Sequence, residues 1–351
     1  MGTLDTLEFA SAVAGLPEQL AEARDRAEVA DISVLEVKSG FDSVVVCGMG
    51  GSGFSGDVGA ATVGAVMRTP LVVAKGYELP AFVGPRTLVF AVSYSGSTEE
   101  TLTAAASAVR SGAPMIAITT GGPLAQLAAE SGAATSLCPA GFQPRAAIGM
   151  LVAPILVTLE RLGLFSGASG AIEAAITQLA LRRDQCRTEV DWPKNPAREL
   201  ARRIGRTIPL IYGGGAIGAA AAMRWKTEIN ENAKAPAFWN TYPELDHNEI
   251  CGWGQHGDVT RQVFSLVELR HDFEHSQIGR RFDVTREIID ETLAQTLSVV
   301  AEGAGPLAQI LDLAYVGAWT SVYLAFDAGV DPGPVDAIAR LKHQLSKGVS
   351  S

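Results

Sequence analysis

Cysteine is scarce and scattered in this chain of 351 residues. Cys47, Cys138, Cys186 and Cys251 include no CxxC pair. That spacing argues against a structural zinc site, and a chain that can bury a large core has little need of a disulfide scaffold. Basic side chains are outnumbered, 28 Lys and Arg against 38 Asp and Glu, and no basic patch stands out. Nucleic acid is therefore not an expected partner. A small phosphorylated ligand stays compatible, because a local site can be positive on an acidic protein. Membrane-length apolar runs are missing too. Met150 to Leu159 is apolar but too short to cross a bilayer, and Glu160 and Arg161 end it. Met1 to Ala10 carries Asp5 and Glu8 without the basic stretch of a secretory signal. The expected setting is a reducing cytoplasm, away from membranes.

What is present is an ordinary globular composition, 47% apolar and 19% charged, which excludes disorder, collagen and coiled coil. The length suits about two domains. Leu4 to Val29 reads as one amphipathic helix. Short β-branched runs follow at Ser43 to Cys47, Leu71 to Ala74, Leu88 to Val92 and Met115 to Ile118, separated by Ala-rich helical segments. Such alternation predicts an α/β fold with a mostly parallel, doubly wound sheet. Ala146 to Leu164 and Ala171 to Val190 read as helices, with small residues between them. A second round then begins, with strands at Ile208 to Tyr212, Val263 to Leu269 and Leu297 to Ala301. The strand, glycine turn and helix unit occurs at Gly48 and again at Gly213. We therefore expect two domains of one architecture, residues 1–165 and 166–351.

Gly48 to Gly53 (GMGGSG) and Gly213 to Gly218 both fit G-x-G-x-x-G between a strand and a helix. A dinucleotide site would need an acidic residue at the end of the next strand to hold the ribose. That strand ends in Lys75, which counts against NAD. A tight turn that needs small residues is the plainer reading, above all for the second loop. The loop after Val92 is more informative. Ser93, Ser95, Ser97 and Thr98 fall within six residues at a predicted helix start, where free N–H groups and the positive helix end favour an anion. A capping box with Ser97 as N-cap and Glu100 at N3 would account for two residues and leave the other hydroxyls unexplained. The loop lacks the Lys of an NTP-binding loop. Together with Ser52 it reads as a phosphate site.

GMGGSG paired with SYSGST (Ser93 to Thr98) resembles the sugar-isomerase, or SIS, domain family. From about residue 40 onward the chain is similar to the bifunctional phosphoglucose/phosphomannose isomerases, which carry two SIS domains. NENAK (Asn230 to Lys234) and PELDHNE (Pro243 to Glu249) resemble that family's catalytic stretch. Ser97 departs from the Asn common there. The resemblance implies that Gly51, Ser52, Ser93, Ser95 and Thr98 bind a sugar phosphate. It gives Arg145 the role of stabilising negative charge on an intermediate, and Glu231 that of the base moving a proton between C1 and C2. His247 would open the sugar ring, and Lys342 would contact the ring or carbonyl oxygen. It also implies a homodimer with a shared active site and no metal or organic cofactor.

The residue types suit that chemistry independently. Aldose–ketose isomerisation needs a base beside the carbonyl, a positive group at the developing enediolate oxygen, and an acid–base for ring opening. Each candidate also has a plainer reading. Glu231 could be a solvated helix glutamate, with Glu228 as its rival. His247 could be structural, or Asp246 or Glu249 could orient it. Arg145 could be a surface arginine. His271 and His275, four apart, could face a metal from one helix, but no third ligand is evident. Lys342 has its own argument. Val335, Ile338 and Leu345 lie seven and four residues before it and three after, which sets it on the apolar face of a final helix starting near Asp331. A lysine there needs a partner or must snorkel. The competing functions are a non-catalytic sugar-phosphate sensor, an amino-sugar phosphate isomerase, and an NAD(P) oxidoreductase.

Overall fold

A computed structural model describes residues 4–35 and 40–347. The predicted first helix is two helices, α1 (Phe9–Ala14) and α2 (Leu16–Val29), divided at Gly15. Pro17, at the start of α2, cannot donate the N–H that a continuous helix requires but fits a first turn. The Asp5 carboxylate accepts from Phe9 and Ala10 N–H and so holds the start of α1.

The first sheet is built from β1 (Ser43–Cys47), α3 (Gly50–Val63), β2 (Leu71–Ala74), β3 (Thr87–Val92), α4 (Glu99–Arg110), β4 (Met115–Thr119), α5 (Gly122–Ser131) and β5 (Ala134–Leu137). Its order is β2-β1-β3-β4-β5, and every pairing is parallel. Strands β1, β3 and β4 are buried along their whole length, which is why they read as continuous apolar runs. Alternation sends Val45, Cys47, Val89 and Ala91 toward Ala104, Ala108 and Leu124 of α4 and α5. Val44, Val46, Phe90 and Ile116 point the other way, into a cluster shared with α6 (Ile148–Arg161).

Two helices, α7 (Ala168–Cys186) and α8 (Pro196–Ile204), lead to the second sheet. It comprises β6 (Ile208–Gly214), α9 (Gly215–Glu228), β7 (Phe238–Tyr242), α10 (Gly257–Val263), β8 (Phe264–Arg270), α11 (Ser276–Ile289) and β9 (Gln295–Val300). The order β7-β6-β8-β9 is again all parallel and repeats the first sheet less its last strand. Leu210, Tyr212 and Leu266 pack on Phe282 and Ile278 of α11. Ile211, Val267 and Leu297 face the other side and join the cluster that contains Val44 and Phe90. The two sheets thus share one apolar core. Within it lies α12 (Pro306–Asp327), which packs against α3, α7, α8 and α9. The final helix, α13 (Asp336–Lys347), follows the turn Asp331 to Pro334.

Candidate active site

The glycine turn at the end of β1 is dictated by backbone proximity. A Cβ on Gly48 would lie 2.8 Å from the Val92 carbonyl oxygen, and one on Gly53 would lie 2.6 Å from that of Gly48. The turn therefore sits against the end of β3, and the N-termini of α3 and α4 open on the same end of the sheet. Neither N-cap, Met49 or Thr98, makes a side-chain capping bond. The capping box that would have been the plainer reading of this loop is absent: α4 begins directly after Thr98, so Ser97 lies outside the cap. The hydroxyls pair among themselves instead. Ser93 Oγ donates to Thr98 Oγ1 at 3.0 Å, Ser97 Oγ donates to Ser95 Oγ at 3.2 Å, and Ser52 Oγ accepts from Tyr94 N–H at 3.3 Å. Ser52 and Ser93 are buried, while Ser95 is exposed. Two helix starts and five reorientable hydroxyls, with no carboxylate bonded to them among the described residues, form a cradle for an anion such as a phosphate.

Arg145 adjoins this cradle. A Cβ on Gly51 would lie 3.1 Å from the Pro144 carbonyl oxygen and 3.2 Å from Arg145 Cα. The Tyr94 hydroxyl ties the same loop down, donating to the Pro139 carbonyl at 2.8 Å and accepting from Phe142 N–H at 3.1 Å. The Arg145 side chain is buried and turns inward. Nε donates to Asn232 Oδ1 at 2.7 Å, and Nη2 donates to the carbonyls of Pro332 at 2.6 Å and Gly333 at 2.8 Å. Its guanidinium lies 4.5 Å over the Phe9 ring.

Glu231 belongs to a π-helical turn, Ile229–Ala233, that extends α9. Such turns recur at functional sites. Its Oε2 is 3.8 Å from Arg145 Nε, too far for a hydrogen bond and close enough for strong attraction. Burial, and then the neighbouring charge of Glu228, push the Glu231 carboxyl above the usual glutamate range; Arg145, Arg224 and Lys234 oppose them. The rival Glu228 is already committed. It is buried, paired with Arg224, and accepts from Asn232 Nδ2 at 2.5 Å. Glu231 is thus the carboxylate left with reach into solvent, its side chain 26% exposed. Lys234, in the left-handed region at φ 55°, closes the turn and donates to the Glu231 carbonyl at 2.5 Å. Burial and then Arg145 lower its ammonium pKa.

The other two candidates lie apart from this pair. His247 ends a short 3-10 turn after β7 and is exposed. Neither expected orienting carboxylate serves it. Asp246 accepts from Arg281 and Thr285, and Glu249 accepts from Tyr212 and Asn240. Lys342 is also exposed. The apolar stripe expected beneath it is real as a pattern but uncovered, with Ile338 39% and Leu345 54% exposed. Within one chain α13 does not bury that face, so Lys342 is not a lysine in a core.

His271 and His275 do not share a helix: α11 starts at Ser276. His271 Nε2 lies 2.9 Å from the Gly214 carbonyl, and His275 Nδ1 accepts from Gln277 N–H. The second glycine turn behaves as a packing device, since a Cβ on Gly214 would lie 2.3 Å from Ile278 Cγ2. In the loop after β8 the Glu274 carboxylate already takes His271 N–H at 3.0 Å and pairs with Arg270. Lys75 at the end of β2 pairs with Asp57, so that strand end presents no acid to a ribose. Sequence reasoning did not reach Asn232, Arg224 or Lys234. The first and last lie within the quoted NENAK segment, where an Asn four residues after a buried Glu was the available signal.

Comparison with known proteins places these features in context. Residues 40–139 match the SIS domain family, and residues 193–345 match the family described as the bacterial phospho-glucose isomerase C-terminal SIS domain. A bifunctional phosphoglucose/phosphomannose isomerase of Caldicellulosiruptor bescii is 37% identical over 335 residues, covering 95% of this chain and 98% of that protein. One of Aquifex aeolicus is 34% identical over 308 residues, covering 88% and 91%. Among solved structures, a hypothetical protein of Thermus thermophilus shares the fold with a TM-score of 0.76 at 15% identity, covering 99% of this chain and 92% of that one. The C-terminal domain of glucosamine-fructose-6-phosphate aminotransferase from Francisella tularensis does so at 0.69 and 14% identity, covering 92% and 97%.

Proposed function

The chain belongs to the bifunctional phosphoglucose/phosphomannose isomerase family, and from that premise we propose which of its residues carry the reaction. It is an aldose–ketose isomerase that interconverts a hexose 6-phosphate aldose with fructose 6-phosphate. The phosphate is bound by Gly51, Ser52, Ser93, Ser95 and Thr98. Glu231 takes the C2 proton of the open-chain aldose and returns it at C1, through a cis-enediol(ate). Arg145 faces the oxygen that becomes negative in that intermediate. The observation that carries this reading is the pairing of a half-buried carboxylate with a clamped guanidinium 3.8 Å away, on the loop that Gly51 joins to the hydroxyl cradle. Burial holds Glu231 closer to the pKa of an effective base than a solvated glutamate would be.

His247 opens the ring and Lys342 contacts the ring or carbonyl oxygen, both reaching a site shared between two copies. Their exposure in the single chain supports that arrangement, because each is free to face a partner. A division near residue 165 gives each half one sheet. The cytoplasm is the setting that suits such a metabolic enzyme. The test is a coupled assay with fructose 6-phosphate, reading glucose 6-phosphate and mannose 6-phosphate separately, on wild type and Glu231→Gln. Turnover lost with the substitution supports the assignment. Wild-type protein that binds sugar phosphate without turning it over would instead favour a sensor.

A further inference from the structure

Arg145 is held in place by neutral acceptors. Two of its three guanidinium nitrogens are fixed, Nε on Asn232 Oδ1 at 2.7 Å and Nη2 on the carbonyls of Pro332 and Gly333. Nη1 has no protein partner among the described residues and keeps two N–H donors for a ligand. Because the group is planar, fixing two nitrogens fixes where the third points.

Asn232 is fully buried, and each of its polar atoms is engaged. Nδ2 donates to Glu228 Oε2 at 2.5 Å and to Ser321 Oγ at 2.9 Å. A guanidinium only donates and an ionised carboxylate only accepts, so the amide can sit only one way round. Glu228 is paired in turn with Arg224, and Arg224 Nη2 donates to the Arg145 carbonyl. The contacts therefore close a ring: Arg145 side chain, Asn232, Glu228, Arg224, Arg145 backbone.

We propose that Asn232 is the positioning residue of this active site, an uncharged link that orients the Arg145 guanidinium toward the reacting carbons without neutralising it. The inference rests on the assignment of Arg145 and Glu231 given above. A carboxylate at this position would also accept from Nε, but it would pair with the positive charge the intermediate needs and stand against Glu228. An apolar side chain would leave Nε and Glu228 Oε2 buried without a partner.

The test uses the full-length enzyme with Asn232→Ala, Asn232→Asp, Arg145→Ala, Glu231→Gln and the Arg145→Ala/Asn232→Ala pair, measuring kcat and KM for fructose 6-phosphate across pH. Asn232→Ala should lower kcat about 10- to 100-fold, on the scale that misplacement by about 1 Å can cost 10²-fold, while KM moves less than about threefold. In the Arg145→Ala background the second substitution should cost nothing further. Asn232→Asp keeps an acceptor for Nε but pairs with the guanidinium charge, so it should lower kcat on a like scale with KM little changed. A role in folding alone would lower the folded fraction and leave kcat per folded molecule at the wild-type value. Wild-type kcat per folded molecule in Asn232→Ala or Asn232→Asp, or losses that multiply in the pair, overturn the proposal. Should Asn232→Ala fail to fold, the kcat of Asn232→Asp, which keeps an acceptor for Arg145, decides it. Full activity in Arg145→Ala or Glu231→Gln would instead overturn the underlying assignment, so the two failures are distinguishable.

Discussion

Gly51→Ala tests how closely the phosphate turn and Arg145 are joined. The new methyl would sit 3.1 Å from the Pro144 oxygen and 3.2 Å from Arg145 Cα, where unstrained carbon contacts are about 3.5 Å or more. Some 0.3–0.4 Å must therefore open. Both obstacles are backbone, so no side-chain tip can swing clear. The short turn Pro144–Ala146 has to move, and it takes with it a guanidinium whose far end is tied to Asn232, Pro332 and Gly333. If about 1 Å of misplacement can cost 10²-fold, a shift of this size costs roughly four- to sixfold in kcat. Stability should fall by about 0–2 kcal/mol. Overpacking costs about 1–3 kcal/mol, and replacing Gly by Ala in a helix returns up to about 1 kcal/mol. Gly59→Ala on the same helix is the control, because its methyl would meet Ile155 at an ordinary 3.5 Å. Coupled-assay kcat and thermal unfolding on both variants decide the matter. Wild-type kcat in Gly51→Ala, or the same loss in Gly59→Ala, would refute the reasoning.

Four further outcomes are expected. Burial and Glu228 raise the Glu231 pKa, so kcat/KM should fall on its acidic side at a pH above the ordinary glutamate range of about 4.3; Glu228→Gln should move that limb down and Arg145→Gln up. The same raised pKa means that ionised Glu231 opposes folding. Glu231→Gln should then gain stability over wild type as pH rises above the unfolded glutamate pKa, keep that gain at neutral pH and lose it in acid, as thermal unfolding at several pH values would show. Asp312 is fully buried on α12 and accepts from Arg182 at 2.8 Å, Gln178 at 3.0 Å and Glu302 N–H at 2.8 Å; Asp312→Ala should cost about 3–5 kcal/mol in denaturant unfolding while the folded fraction keeps its kcat. Mixing inactive Glu231→Gln and His247→Ala chains after joint refolding should restore part of the activity if the histidine crosses between copies, and should restore none if each chain is self-sufficient.

The fold was legible wherever burial is two-sided. Val44 to Val46 and Leu88 to Val92 are uninterrupted apolar runs because helices cover both faces; Leu71 to Ala74 is a half-buried edge strand, legible because all four of its residues are apolar. Two strands escaped. Ala134–Leu137 and Phe238–Tyr242 lie at sheet edges, where one flank is open and exposed or polar residues break the pattern. The stripe of α13 shows a different limit. Periodicity told which residues share a side, but not whether anything covers it, and Ile338 and Leu345 stand exposed. At the site, residue types pointed to an acid–base pair and an anion cradle. The ring through Arg145, Asn232, Glu228 and Arg224 was not legible, because it joins a loop of the first half to a helix end of the second across 87 residues. Asp246 and Glu249 were natural partners for His247 by sequence distance, yet Arg281 and Tyr212 claim them from other elements.

The central claim is that Glu231 carries a proton between C1 and C2. The most direct measurement follows fructose 6-phosphate in D2O by NMR with wild type and with Glu231→Gln. The account predicts deuterium at C2 of the aldose product with wild type, because the protonated base exchanges with solvent during some turnovers, and neither turnover nor label with Glu231→Gln. Aldose formed, or label incorporated, at the wild-type rate by Glu231→Gln would contradict it.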